Sequence, residues 1–423
     1  MAPLAAVSQD DLNRTLLVLG GMLVVGALVS GIARRTFLSL TAMFVIGGFV
    51  LGEGGLGVLD FDPQSGFVGG LATLALIVIL FRDGLEVESE MLQTAWHLPL
   101  RKIVLAMPIT FGLVGVFTHT VTDLNWRESL LVGALLSPTD PVLSSGVVTN
   151  PRVPRLIRHS LNLESGLNDG LALPAVLAFS ASLGHGHFVL WRFILEDVLI
   201  GFGVGIAVGY VASKLLRSGH SLGHEITPHQ KSLYALGVAF AAYGAAVAAP
   251  NGNGLIAVFV CAIVLGILRP DLRASFEQRS EDIVEIVKLG IFVVFGALLT
   301  FDGLFGDGMA AVAIAAFTLV VARPVAVFAA LAGTRVDAAT KAFMSWFGPK
   351  GVATMTFSLF VLSSTITEGE RIFNIAALTV FISIIVHGVT DTAGANWIGG
   401  RAERGEAVER APSAEPVRHH SPA

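Results

Sequence analysis

The chain has 423 residues, 53% of them hydrophobic and 14% charged, with a mean hydropathy of +0.74 and a formal net charge of −5. Soluble domains carry about 25% charged residues, so a water-soluble fold would have too little polar surface to cover itself, and the composition points to membrane-spanning helices. The 47 glycines agree with that reading, because glycine is more frequent in membrane helices than in soluble ones. The single cysteine, Cys261, lies in an apolar run and reads as a small buried hydrophobe with no disulfide partner.

Residues 1–14 read as a short external segment. The first apolar run begins near Leu16, behind Asp10 and Asp11, and has no basic region with a small-residue cleavage site after it. It therefore reads as a retained span rather than a signal peptide. A spanning helix needs about 20 mostly apolar residues. Thirteen candidates follow in chain order, near 15–33, 36–52, 66–81, 99–121, 127–148, 154–182, 189–216, 231–249, 254–269, 281–300, 309–333, 338–364 and 372–390. Residues 391–423 turn charged and proline-containing, and read as a cytoplasmic disordered tail.

Lysine and arginine in the connections set the orientation. Of the 27, 20 fall on the side of Arg34 and Arg35, four on the other, and Lys288, Arg323 and Lys350 fall inside spans. This predicts an N-terminus outside, a C-terminus in the cytoplasm and an odd number of spans. Spans 1–6 and 8–13 then form two inverted six-helix halves joined by span 7, a plan used by many secondary transporters. The expected fold is an all-α polytopic membrane protein.

Charged residues are costly within the membrane and mark function by default. Span 5 reads LLVGALLSPTDPVLSSGVV, with Pro138 and Pro141 flanking Thr139 and Asp140. Two prolines three apart break a helix, and broken backbone is tolerated there only beside protein or a watery cavity. Span 6 reads LNLESGLNDGLALPAV. Its Glu164, Ser165, Asn168 and Asp169 share one helical face about 140° wide. That stripe offers two carboxylates, an amide and a hydroxyl, all oxygen donors to a hard cation. Span 12 carries the second interruption, SWFGPKGVATMTF, with Lys350 inside it. Paired interruptions in the two halves point to a transport site, and Lys350 there could offset the dipoles of the half-helix ends. Arg323, deep in span 11, needs an acidic partner, for which Glu164 is the candidate. Lys288 reads as snorkelling or interfacial, and His119 and His185 read as interfacial histidines.

Taken together, SPTDP, ESGLNDG, the ARP of span 11 and the FGP-G of span 12 resemble the monovalent cation:proton antiporters, most closely the NhaP-type sodium/proton branch. The LFRDGLEVE stretch after span 3 is similar to that family's segment there. The resemblance covers about residues 15 to 390. It implies core helices at about 99–182 and 309–390, dimerisation helices at about 15–81 and 231–300, and a linker helix at about 189–216. It also implies a homodimer in the cell membrane, with a role in pH homeostasis. Asp169 matches the family's ion- and proton-binding aspartate. Asp140 and Thr139 match its unwound-segment ligands, and Glu164 and Ser165 the accompanying acid and hydroxyl. Asn168 matches the position that separates family branches, and Arg323 the arginine paired with the glutamate. Na+ is then expected at Asp169, Asp140, Thr139 and Ser165. Lys350 stands where related members commonly have arginine, so bidentate geometry is lost there.

The expected mechanism is competition of a proton and a cation for Asp169, with alternating access and one-for-one exchange. Asn168 is neutral and Glu164 is offset by Arg323, so that exchange should be electroneutral. No enzyme activity, no cofactor and no nucleic-acid partner are expected; membrane lipid and the transported Na+ and H+ are. A potassium/proton exchanger on the same scaffold is the nearest alternative. An intramembrane aspartyl protease lacks the Gly-x-Gly-Asp context such enzymes use and leaves Arg323 unexplained. A sensor or channel descended from a transporter would show no ion-coupled proton flux.

Overall fold

The computed structural model describes residues 40–87, 97–140, 145–184, 188–220 and 226–406, together with Leu17, Gly20, Gly21 and Val24. Every regular element among them is helical. Their order is α1 (Leu40–Leu51), α2 (Gly66–Leu85), α3 (Leu98–Val121), α4 (Trp126–Leu136), α5 (Arg155–Leu183), α6 (Leu190–Leu216) and α7 (Pro228–Ala248). Then come α8 (Gly254–Leu268), α9 (Pro270–Arg279), α10 (Glu281–Ala297), α11 (Met309–Ala330), α12 (Ala338–Trp346), α13 (Val352–Leu362) and α14 (Gly369–Glu403). Short helical turns lie at Ser145–Val148 and Phe301–Leu304.

Local chemistry sets many of the boundaries. Ser65 caps α2, and Asn253 caps α8 through the amides of Leu255 and Ile256. Asn125 with Glu128, and Thr227 with Gln230, form reciprocal capping boxes at the starts of α4 and α7. Asp337 caps α12. Arg269 leaves helical backbone geometry and Pro270 opens the next helix, so α9 is bent by 114° from α8. Wider π-type turns interrupt α3 at Lys102–Ala106 and α11 at Thr318–Ala322.

By length and composition, α2, α3, α5, α6, α7, α11 and α14 can each cross a membrane, and α8 joined to the start of α9 makes an eighth. Expected spans 2 to 13 each meet a helix or a broken pair at their place. The first expected span, like residues 1–14, falls largely outside the described residues. Two boundaries move. Helix α2 continues past the expected end at 81 to Leu85, bringing Arg82 and Asp83 into the helix. Helix α14 continues past 390 to Glu403, because Ala395 and Ile398 are buried against Val153, Phe343 and Phe347 in a compact apolar cluster. Residues 391–403, expected in the tail, are thus helical; residues 407–423 lie outside the described residues.

Packing is close where glycine permits it. Helix α1 meets α10 through Gly48, Gly52 and Gly296, where an added Cβ would strike the partner's backbone. Helix α6 meets α8 through Gly201, Gly205 and Gly209 in the same way. Helices α3, α4 and α5 pack in succession, α11 and α13 pack on α14, and α2 lies between α8, α13 and α5. The two broken pairs, α4 with Ser145–Val148 and α12 with α13, meet inside this assembly.

Candidate functional site

The two breaks cross and satisfy each other's loose ends. Helix α4 ends at Leu136 and α13 begins at Val352. Between them, the Asp140 amide donates to Pro349 O at 2.8 Å. Lys350 Nζ donates to the carbonyls of Pro138 at 3.1 Å and Ser137 at 3.4 Å. Its ammonium thus lies at the negative, C-terminal end of α4. In return, Asp140 Oδ2 accepts from the Val352 amide at 3.3 Å, at the positive start of α13. Thr354 Oγ1 reaches Leu135 O at 2.9 Å. Lys350 is fully buried (0% exposed), which is tolerable because carbonyl oxygens receive its charge. Gly351 is required by this approach: a Cβ there would overlap the Asp140 side chain. Pro141 lies outside the described residues.

Glu164 lies one layer away on α5, between two cations. Arg323 Nη1 donates to Glu164 Oε1 at 3.0 Å, and Lys102 Nζ to Glu164 Oε2 at 2.6 Å. Both basic residues border the π-type turns of α3 and α11, a feature frequent at functional sites. Arg323 also donates to Ser345 O at 3.0 Å and Met344 O at 3.4 Å, near the end of α12. Gly348 leaves room for that guanidinium; a Cβ there would collide with it. The pairing expected between Arg323 and Glu164 is present. Lys102, one of the 20 basic residues that the charge count assigns to the side of Arg34 and Arg35, is instead fully buried in α3 and also donates to Ser160 O at 3.2 Å.

The stripe expected on span 6 divides into two rows. Glu164 and Asn168 face α3 and the span-5 break, where Asn168 Nδ2 donates to Thr139 O at 2.7 Å and Thr139 Oγ1 at 3.1 Å. Ser165 and Asp169 face the other way, into a cavity of about 320 Å³. The structure does not bring Thr139 or Asn168 into that cavity's lining, but it does bring Asp140. The remaining lining includes Asp83, Arg82 and Glu86 from the α2 end, Arg273 on α9 and Lys288 on α10. Lys288 is thus a cavity residue rather than an interfacial one. Asp169 Oδ1 is buried and meets no donor among the described residues, so an acceptor is left over that a cation or a proton would satisfy.

Asp83 and Lys102 were not singled out from the sequence. Asp83 lies just beyond residue 81, where hydropathy ends span 3, although the LFRDGLEVE stretch contains it. Lys102 lies within a turn of the start of span 4, where a lysine ordinarily reaches for water. A signal did exist for Lys102: the second carboxylate oxygen of Glu164 needed a buried donor beyond Arg323.

Comparisons with known proteins bear on the family and the fold. A family model described as sodium/hydrogen exchanger, transmembrane, matches residues 22–395. The chain is 26% identical over 396 residues to the K(+)/H(+) antiporter NhaP of Alkalimonas amylolytica, covering 92% of this chain and 68% of that protein. It is 26% identical over 391 residues to the K(+)/H(+) antiporter NhaP2 of Shewanella sp. strain MR-4, with the same coverages of 92% and 68%. The structure of the sodium proton antiporter MjNhaP1 from Methanocaldococcus jannaschii at pH 8 superposes with a TM-score of 0.76. It shares 19% identity and covers 92% of this chain and 100% of that one, a likeness of fold. With helices of spanning length, crossed broken segments and a family match over most of its length, this chain belongs to the transmembrane sodium/hydrogen exchanger family and is an integral-membrane cation/proton antiporter.

Proposed function

We propose that the chain exchanges Na+ or Li+ for H+, one for one, by competition at Asp169. The observation that carries this reading is the Asp169 carboxyl, buried at the wall of the 320 Å³ cavity with Oδ1 unmatched by any described donor. A proton or a monovalent cation can neutralise such a group, and the two loaded states have equal charge. Asp140 and Ser165 line the same cavity and are the proposed additional cation ligands. Thr139 and Asn168 hold the break in shape through their mutual hydrogen bonds. Glu164, Arg323 and Lys350 act as structural charge partners and stay outside the exchange.

The cavity is lined both by the proposed core (Asp140, Asp169, Val352) and by helices α2 and α10 of the proposed dimerisation half. Sliding of the core against that half would carry the loaded site from one face of the membrane to the other. In this reading the protein is a homodimer, with the N-terminus outside and the C-terminus in the cytoplasm.

A second reading, K+/H+ exchange, is favoured by the names of the two relatives compared above. Proteoliposomes loaded with a pH-sensitive dye separate the readings. Na+, Li+ and K+ are added one at a time to vesicles with an imposed pH gradient. Collapse by Na+ or Li+ supports the first reading, and collapse by K+ alone selects the second. Asp169→Asn should abolish collapse with every cation; retained exchange would remove Asp169 from its central place.

A further inference from the structure

Lys288 is one of the charged cavity residues, with Arg82, Asp83, Glu86 and Arg273, that the exchange mechanism leaves unused. It lines, from α10, the same cavity as Asp83, Asp140 and Asp169. It differs from the other buried basic residues. Lys102 and Arg323 are locked onto Glu164 at 2.6 and 3.0 Å, and Lys350 is fixed on carbonyls. Lys288 makes no ion pair within 4.0 Å among the described residues and is half-buried. Its ammonium is a single positive charge on a flexible stem, facing carboxylates across a cavity large enough for water. Its helix is clamped to α1 by the Gly48, Gly52 and Gly296 contacts, whereas Asp140 and Asp169 belong to the broken-helix assembly.

We propose that Lys288 is a specificity-determining residue that acts as a tethered competitor for the transported cation. While the cavity holds no ion, the ammonium offsets one of the negative charges that the Asp83, Asp140 and Asp169 carboxylates can carry. An entering monovalent cation must take over that balance, so Lys288 sets the apparent affinity on the side to which the cavity opens. It also attracts the two helix groups toward each other across the cavity in the unloaded state, an attraction that loading weakens.

This inference rests on the exchange reading at Asp169, and the test keeps the two apart. Initial exchange rates in proteoliposomes are measured against cation concentration for the wild type, Lys288→Gln, Lys288→Arg and Asp169→Asn, with thermal melting of each purified variant. The expected result is a KM lowered on the order of tenfold in Lys288→Gln, since one like charge has left the site. Its kcat should be equal or lower, because a tighter cation leaves more slowly. Lys288→Arg keeps the charge and should keep the wild-type KM. A Lys288→Gln protein with wild-type melting and unchanged KM overturns the proposal, as does equal loss of activity in the Gln and Arg variants. Should Asp169→Asn remain active, the exchange reading itself fails. Should Asp169→Asn be inactive while Lys288→Gln keeps the wild-type KM, only the role of Lys288 fails.

Discussion

Asp140 and Gly351 show how tightly single residues define this site. The Asp140 carboxylate accepts from the first amide of α13, and Gly351 passes against its side chain with no room for a methyl group. Gly351→Ala should therefore push Asp140 away from the crossing. Exchange is expected to fall by tenfold or more, with the spanning helices retained by circular dichroism. Wild-type rates in that variant would show that the close approach does not matter. Glu164 shows the opposite economy: one carboxylate neutralises parts of two buried cations, and breaking such a buried pair costs about 3–5 kcal/mol. Much of this was legible residue by residue. The Pro-Thr-Asp-Pro run announced a break, and the need of Arg323 for an acid named Glu164. The division of the span-6 stripe was not legible. Glu164 with Asn168, and Ser165 with Asp169, are adjacent i,i+4 rows on one helix, and only the neighbouring helices decide which row faces which partner. Lys102 escaped for a related reason, since a lysine near the start of a span has the same sequence context whether it snorkels or turns inward.

The elements are held together by backbone contact as much as by side chains. On α6, Gly201, Gly205 and Gly209 recur every fourth residue and face α8. An added Cβ would come within 2.8 Å of Asn253 O, 2.6 Å of Ala257 O and 2.9 Å of Cys261 O respectively. In a membrane, where lipid is as apolar as a leucine side chain, such close packing supplies much of the association between helices. Gly205→Leu should cost about 1–3 kcal/mol through overpacking and lower the melting temperature in detergent. Gly203→Leu, a position with nothing within 4 Å of the added Cβ, should melt like the wild type. Equal melting of the two variants would contradict the assignment of this seam. The helices themselves were predictable from apolar runs of spanning length. Their ends were less so, because α2 and α14 continue through residues whose burial depends on remote partners. For α14 these are Val153, Phe343 and Phe347, far away in the chain.

For the whole molecule, the central claim is that one buried carboxylate serves two ligands in turn. The expected inverted arrangement of spans suggested where to look, and the two interruptions, at Asp140 and at Lys350, proved to be neighbours in space. The choice between Na+ and K+ was not legible, because both are hard monovalent cations bound by oxygen, and selectivity depends on cavity size and ligand distances that no motif encodes. Competition itself has a kinetic signature independent of which cation is transported. Exchange rates measured over a range of cation concentrations at several pH values, equal on both sides of the vesicle, test it most directly. KM for the cation is expected to rise as pH falls while the maximal rate does not fall, because protons and cations exclude each other at Asp169 and the return step needs the proton. A maximal rate that falls with pH at constant KM would contradict it.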